Sequence, residues 1–158
     1  MIRIFEEGDR ATFIDMAMKF YRSKAVMHEV PEAYFAYTFD TILAGSPYAR
    51  GLMILGPEGP VGYGLLSITY SNEVGGLVLW IEEVYVLHDY RGKGYGKEFF
   101  QYVEREYAGI FRRFRLEVAP SNTRAKRLYE QLGYQTLEYA QMVKELDPEE
   151  VAAQYEEE

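Results

Sequence analysis

Apolar and polar positions change their period several times along the chain, and each change predicts an element. "IRIF" (2–5) is short, β-branched and aromatic, which predicts a strand. Over residues 9–22, Ala11, Ile14, Ala17, Met18 and Tyr21 fall on one helical face. Pro31 opens a second helix over 31–44, which Gly45 and Pro47 stop. "GLMILG" (51–56) and "PVGYGLLSIT" (60–69) predict two strands around a "GPEGP" turn, and "GGLVLWIEEVYVL" (75–87) predicts a third. From Lys93 the period lengthens: Phe99, Phe100, Val103 and Tyr107 share one face of a helix that ends at Gly109. "FRLEVA" (114–119) returns to alternation, with Phe114, Leu116 and Val118 on one side. "SNTRAKRLYEQLGY" starts with a Ser121 or Asn122 cap, places Ala125, Leu128, Tyr129 and Leu132 on one face, and stops at Gly133. A last strand is expected over 138–146, followed by a tail that is either a frayed helix or disordered.

The resulting order, β-α-α-β-β-β-α-β-α-β, predicts an α+β fold. Its sheet is mostly antiparallel, and its last part supplies parallel crossovers. With 158 residues, the expectation is a single domain over 1–146 and an acidic tail over 147–158. No run of eighteen apolar residues occurs, so no membrane partner is expected. The start, "MIRIFEEGDRATF", has acids where a signal peptide needs an apolar stretch, which points to a soluble, cytoplasmic protein. The absence of cysteine removes disulfides, thiolate metal sites and a cysteine nucleophile together. With only His28 and His88, neither a histidine zinc site nor a Ser-His-Asp triad is expected, and the metal expectation is none. His88 reads as structural or exposed. His28, near the second helix, is a weaker candidate for an acceptor pocket.

Charge sharpens this picture once it is divided. Residues 1–90 carry 12 acids and 6 bases, a net of −6; residues 91–127 carry 4 acids and 10 bases, a net of +6. Seven acids and no base lie in 145–158. A local basic segment on a near-neutral body suits an anionic ligand better than nucleic acid, which the tail would repel. That segment opens with "RGKGYG" (91–96) at the carboxyl end of a strand. Glycines let a backbone turn tightly and approach a ligand, and a helix start offers unpaired amides at its positive end. Together they suit a phosphate or pyrophosphate. Neither a P-loop nor a G-x-G-x-x-G fingerprint fits, because the third glycine would fall on Lys97 or Phe99.

Arg91-x-x-Gly94-x-Gly96, directly after "EEVYVL", resembles the acyl-CoA-binding signature of the GNAT N-acetyltransferase superfamily. "LEVAPSNTRAKRLYEQLGYQ" (116–135) resembles its second signature, with Asn122, Ala125, Tyr129 and the "LGY" ending in place. The resemblance is close from Gly62 to Leu146 and weaker before that. It implies the GNAT fold, with a splayed strand at the acyl-CoA site, and acetyl-CoA as donor. It also implies cofactor contacts from Val84, Tyr85 and Val86 on the strand, Arg91, Gly92, Lys93, Gly94, Tyr95, Gly96 and Lys97 in the loop, and Asn122, Ala125 and Tyr129 beyond. Transfer would be direct, from thioester to bound amine. Tyr129 resembles the family's general acid.

An amine must lose a proton before it attacks, and the strand offers two carboxylates for that task. Glu82 shares the parity of Val84 and Val86, and Glu83 faces the other way. Glu82 is the expected base, with Glu83 or a water relay as alternatives. The net charge of the first half favours a small cationic amine, a diamine or a polyamine as acceptor. Tyr21, Tyr34, Phe35 and Tyr37 are acceptor-side aromatics that helical spacing otherwise assigns to the core. A protein or peptide amine, or a non-catalytic acyl-CoA-binding module, are the alternatives. A homodimer is the default expectation for oligomeric state.

Overall fold

The computed structural model describes residues 1–23 and 29–148, and the chain divides into two compact units, Met1–Asn122 and Thr123–Glu158. The first unit holds one five-stranded sheet in the order β1-β2-β3-β4-β5: β1 (Ile2–Ile4), β2 (Ala49–Gly56), β3 (Gly59–Ser71), β4 (Gly76–Val86) and β5 (Arg113–Leu116). Neighbours are antiparallel except β4 and β5, which run parallel. A parallel pair needs a crossover, and α3 (Tyr95–Tyr107) supplies it. Two further helices, α1 (Arg10–Tyr21) and α2 (Glu32–Leu43), precede the long strands.

Parity along β3 sorts these helices onto the two faces of the sheet. Tyr63 meets Phe13 of α1 edge-on at 5.0 Å, so Tyr63 and Leu65 face α1 and α2. Gly64 points the other way, where a Cβ would lie 2.1 Å from the Phe99 ring of α3; glycine is needed there so that α3 can pack close. The core on the α1 and α2 side is aromatic: Phe5, Phe13, Phe35, Phe39, Tyr63 and Tyr85 are all buried. The α3 face buries Phe99, Phe100, Val103 and Tyr107, the residues expected from spacing.

Three expectations need correction. The core stripe of α1 is Phe13, Met16 and Ala17; Ala11 is exposed, while Ile14, Met18 and Tyr21 pack at its margin. The predicted stripe missed Phe13 and Met16 because both sides of α1 carry apolar residues, and the sheet selects the larger aromatic. β5 stops at Leu116 and does not reach 119, for a reason given below. No strand forms over 138–146 among the described residues. Apolar residues there fall at 139, 140, 142, 143 and 146, mixing adjacent positions with two- and three-residue spacing, so neither face is uniformly apolar, and Tyr139, Met142, Val143 and Leu146 are exposed.

The second unit is described through α4 (Thr123–Gln131). Ala125, Leu128 and Tyr129 are its half-buried residues, and Leu132, just past its end, is half-buried as well, as the spacing predicts. Gly133 follows in the left-handed region at φ 94°, which closes the helix.

Candidate active site

The two halves of β4 are built differently. From Val78 to Ile81 the strand pairs on both sides, with β3 and with Arg113–Leu116 of β5. Beyond Ile81, among the described residues, only the β3 ladder continues, through Glu83, Val84, Tyr85 and Val86. The change coincides with a β-bulge. Leu66 lies opposite Ile81, but Leu65 lies opposite Glu83, so Glu82 is an extra residue in β4. A bulge bends its strand and increases the local twist, and this carries β4 away from β5 and ends the short ladder.

The bulge also overturns the parity expected for the two glutamates. In a regular strand they would face opposite ways. Here Ser67 Oγ donates to Glu82 Oε1 at 2.5 Å, and Ser67 shares the parity of Tyr63 and Leu65. Glu83 accepts from Tyr21 Oη at Oε1 (2.5 Å) and from Tyr63 Oη at Oε2 (3.1 Å). Both carboxylates therefore lie on the α1 and α2 face, while Val84 and Val86 face α3. Glu82 is exposed and Glu83 half-buried. Burial lifts the Glu83 carboxyl above the ordinary range; the two phenols oppose that lift, and the neighbouring charge of Glu82 adds to it. Burial and the Glu83 carboxylate raise both the Tyr21 and Tyr63 phenols, so both hydroxyls keep their protons.

Backbone groups on the open edge follow the antiparallel alternation. Leu87 N donates to Val61 O at 2.8 Å, so the bonded pairs continue at Tyr85, and the polar groups of Val84 and Val86 turn away from β3. Val86 O already accepts from Arg91 Nε at 2.9 Å, and the Arg91 guanidinium lies 5.6 Å from the centre of the Tyr85 ring. Arg91 thus folds back to brace the end of β4, and Val84 is the residue that offers its backbone to the open edge.

The loop after β4 is shaped by glycine. Gly92 and Gly94 take φ 73° and 90°, where a side chain would be strained. A Cβ at Gly92, Gly94 or Gly96 would meet nothing within 4 Å, so space lies open beside all three. The first internal bond of α3 runs from Glu98 N to Gly94 O at 3.0 Å, and the amides of Tyr95, Gly96 and Lys97 precede it. Lys93 Nζ stands 5.2 Å from the Tyr90 ring centre, and Tyr90 packs on Tyr95 at 6.2 Å. Lys93 and Lys97 are exposed. An anion of pyrophosphate size fits this arrangement by its open backbone, its helix start and its rim of cations. His88 is exposed beside Asp89 in a single 3₁₀ turn, and His28 lies outside the described residues.

Of the remaining predicted residues, Asn122 ends the first unit, with its backbone N bonded to Ala119 O at 2.9 Å. Ala125 and Tyr129 belong to α4 in the second unit. Tyr134 N donates to Tyr129 O at 3.0 Å, their rings lie 6.1 Å apart, and burial raises the Tyr129 phenol. Ser67, Tyr21 and Tyr63 were not expected as partners of the glutamates. The signal was present in the pair itself: two adjacent acids in an apolar strand cannot both reach water from a regular ladder, so donors had to be supplied.

Known proteins share both this sequence pattern and this fold. Residues 11–134 match the sequence profile described as the acetyltransferase (GNAT) family. Thialysine N-epsilon-acetyltransferase of Bos taurus is 39% identical over 88 residues, which are 54% of this chain and 51% of that protein. The chain thus spans about half the length of the curated relative it matches. A possible acetyltransferase from Clostridium difficile 630 superposes with a TM-score of 0.80 at 21% identity, over 93% of this chain and 97% of its own. An aminoglycoside N-acetyltransferase in complex with CoA gives 0.75 at 17%, over 92% and 93%. The splayed β4, its glycine loop at the start of α3, and a profile match over most of the chain have one common account: the chain belongs to the GNAT acetyltransferase family.

Proposed function

We propose that this chain moves an acetyl group from acetyl-CoA directly to a primary amine of the small cationic class. The observation that carries the reading is the bulge in β4. It joins, within a few residues, an open strand edge, a carboxylate pair and the glycine loop that follows. When bound, acetyl-CoA supplies a thioester with an electrophilic acyl carbon. The amides ahead of Glu98 N and the side chains of Lys93 and Lys97 receive its diphosphate. The backbone of Val84 orients the arm that leads to the thioester. The family's second signature adds Asn122 and Ala125 as contacts.

An alkyl amine has a pKa of about 10 and arrives protonated. Glu82 takes that proton, directly or through one water. Geometry comes first in choosing a base, and Glu82 is the exposed member of the pair, with Ser67 Oγ fixing one oxygen and leaving the carboxylate within reach of solvent. Tyr129 Oη holds the proton that the departing sulfur takes. Its raised phenol keeps it protonated at neutral pH, the state a donor must be in. The near relative acts on thialysine by name, which supports an amine acceptor carrying more than one charge.

A thiol-release assay tests this with acetyl-CoA and a panel of diamines, polyamines, lysine analogues, aminoglycosides and peptide N-termini. Turnover with the small cationic amines is expected. Glu82→Gln lowers kcat by about 100-fold or more, and Tyr129→Phe lowers it as well. Turnover with peptides alone would move the acceptor to protein amines. No thiol release from any amine, with CoA still raising Tm, would leave an acyl-CoA-binding module.

A further inference from the structure

Two arginines of β5, Arg113 and Arg115, stand on the face of the sheet that carries the carboxylate pair. The register places them there. Ser67 of β3, Trp80 of β4 and Arg115 of β5 lie side by side in one row, and Ser67 Oγ is the donor that holds Glu82. Arg113 lies one row away, opposite Val78. Residues opposite one another in a sheet point to the same face.

The two arginines have different partners. Arg113 Nη2 donates to Glu73 Oε1 at 2.8 Å, so an acid of the chain itself meets its charge. Arg115 has its guanidinium over the Trp80 ring, 4.3 Å from the ring centre. Among the described residues, no acid forms an ion pair with Arg115 and no acceptor takes a hydrogen bond from it. Glu117, two residues further on, is exposed and forms no ion pair with it either. A ring face engages the charge of a guanidinium, whereas its five N–H donors point outward in a rigid, planar fork. That fork matches the two oxygens of a carboxylate. Arg115 and Trp80 are both half-buried, so the cation is held in place and still reachable from water.

Its position relative to Glu82 gives this cation a use. The guanidinium lies over Trp80, and Glu82 follows two residues along the same strand. Two strand residues span about 7 Å, close to the length of the four-carbon stem of a lysine. An amine at Glu82 and a carboxylate at Arg115 are then the two ends of one ligand. We infer that Arg115, held by Trp80, receives a carboxylate on the acceptor, and so selects a basic amino acid of lysine length over the plain diamine. Arg115 is then a specificity residue and Trp80 a positioning residue. The inference rests on the acetyl-transfer reading for which amine is attacked, while the receptor itself is defined by binding alone.

The test compares L-lysine with 1,5-diaminopentane, the same chain without its carboxylate. Calorimetric titration of the full chain in the presence of CoA is expected to favour L-lysine by about tenfold. Arg115→Met removes that preference while keeping an apolar stem on Trp80, and Arg115→Lys, which keeps the charge and loses the fork, retains part of it. Trp80→Leu narrows the preference, and Trp80→Phe, which keeps a ring, restores most of it. In turnover, Arg115→Met raises KM for L-lysine by about tenfold and leaves kcat, and KM for the diamine, within about twofold. Three results overturn the inference: binding of L-lysine no tighter than that of the diamine in the wild type, an unchanged ratio in Arg115→Met, or an equal rise in KM for both ligands, which would make Arg115 a structural residue. Should Arg115→Met fail to fold, Arg115→Lys decides, and an unchanged ratio there overturns the inference. The two failures differ in kind. Preference for L-lysine without thiol release would sink acetyl transfer and keep the receptor; thiol release without preference would do the reverse.

Discussion

The two halves of β4 share one backbone and one neighbour, yet they do different work. Gly76–Ile81 reads as an ordinary buried strand, with Val78, Leu79 and Ile81 nearly removed from water and no ionisable side chain. Glu82–Val86 has lost one neighbour, carries two acids, and keeps most of its side chains partly exposed. The difference shows how a sheet acquires a site without giving up its core. Stability is concentrated where both edges are paired, and the unpaired edge keeps its polar groups for something other than the protein itself.

The comparison makes quantitative claims. Leu79→Ala, in the paired half, should cost about 3 kcal/mol, because a fully buried leucine leaves a cavity there; urea unfolding measures it. An intermediate effect is expected at the joint between β3 and the open half. A Cβ at Gly62 would lie 2.2 Å from Tyr85 O, and backbone gives way less readily than a side chain. Gly62→Ala should cost about 2 kcal/mol and also weaken CoA binding, read by thermal shift with and without CoA. Val84→Ala, in the open half, should cost about 1 kcal/mol, since the valine is only half-buried. A cost at Val84 equal to that at Leu79 would break the distinction.

The smallest effect is one of pH. Glu83 holds its proton more tightly in the folded chain than the ordinary value of 4.5, because burial penalises the charge. The folded state then binds more protons than the unfolded one, so this group's contribution falls as pH rises from the ordinary carboxylate range through the folded value. Glu83→Gln should flatten that part of the stability curve, seen by urea unfolding between pH 4 and 8. A curve unchanged by the substitution would mean that the phenols fully offset burial.

Much of this was legible in the sequence because it depends on local chemistry. Glycines at 92 and 94 announce a turn that side chains make only with strain, and the spacing of Phe99, Phe100, Val103 and Tyr107 announces the helix behind it. The bulge was not legible. A strand read by alternation gives Glu82 one face and Glu83 the other, and only the register against Leu65 and Leu66 shows the extra residue. Tyr21 was hidden for a related reason: spacing assigns it to a helical face, and its hydroxyl finds its use only when α1 is laid on the sheet. The stripe of α1 and the absent strand over 138–146 failed because apolar residues there satisfy more than one period at once.

The extra residue at Glu82 has a consequence for how such a chain can change. The carboxylate pair is written in the length of β4 as much as in its letters. Deleting a single codon from this strand would restore an even count, return its neighbours to alternate sides, and separate the pair while every other acid, phenol and glycine stayed in place. Substitution can tune this chemistry by degrees, whereas a change in strand length switches it on or off in one step.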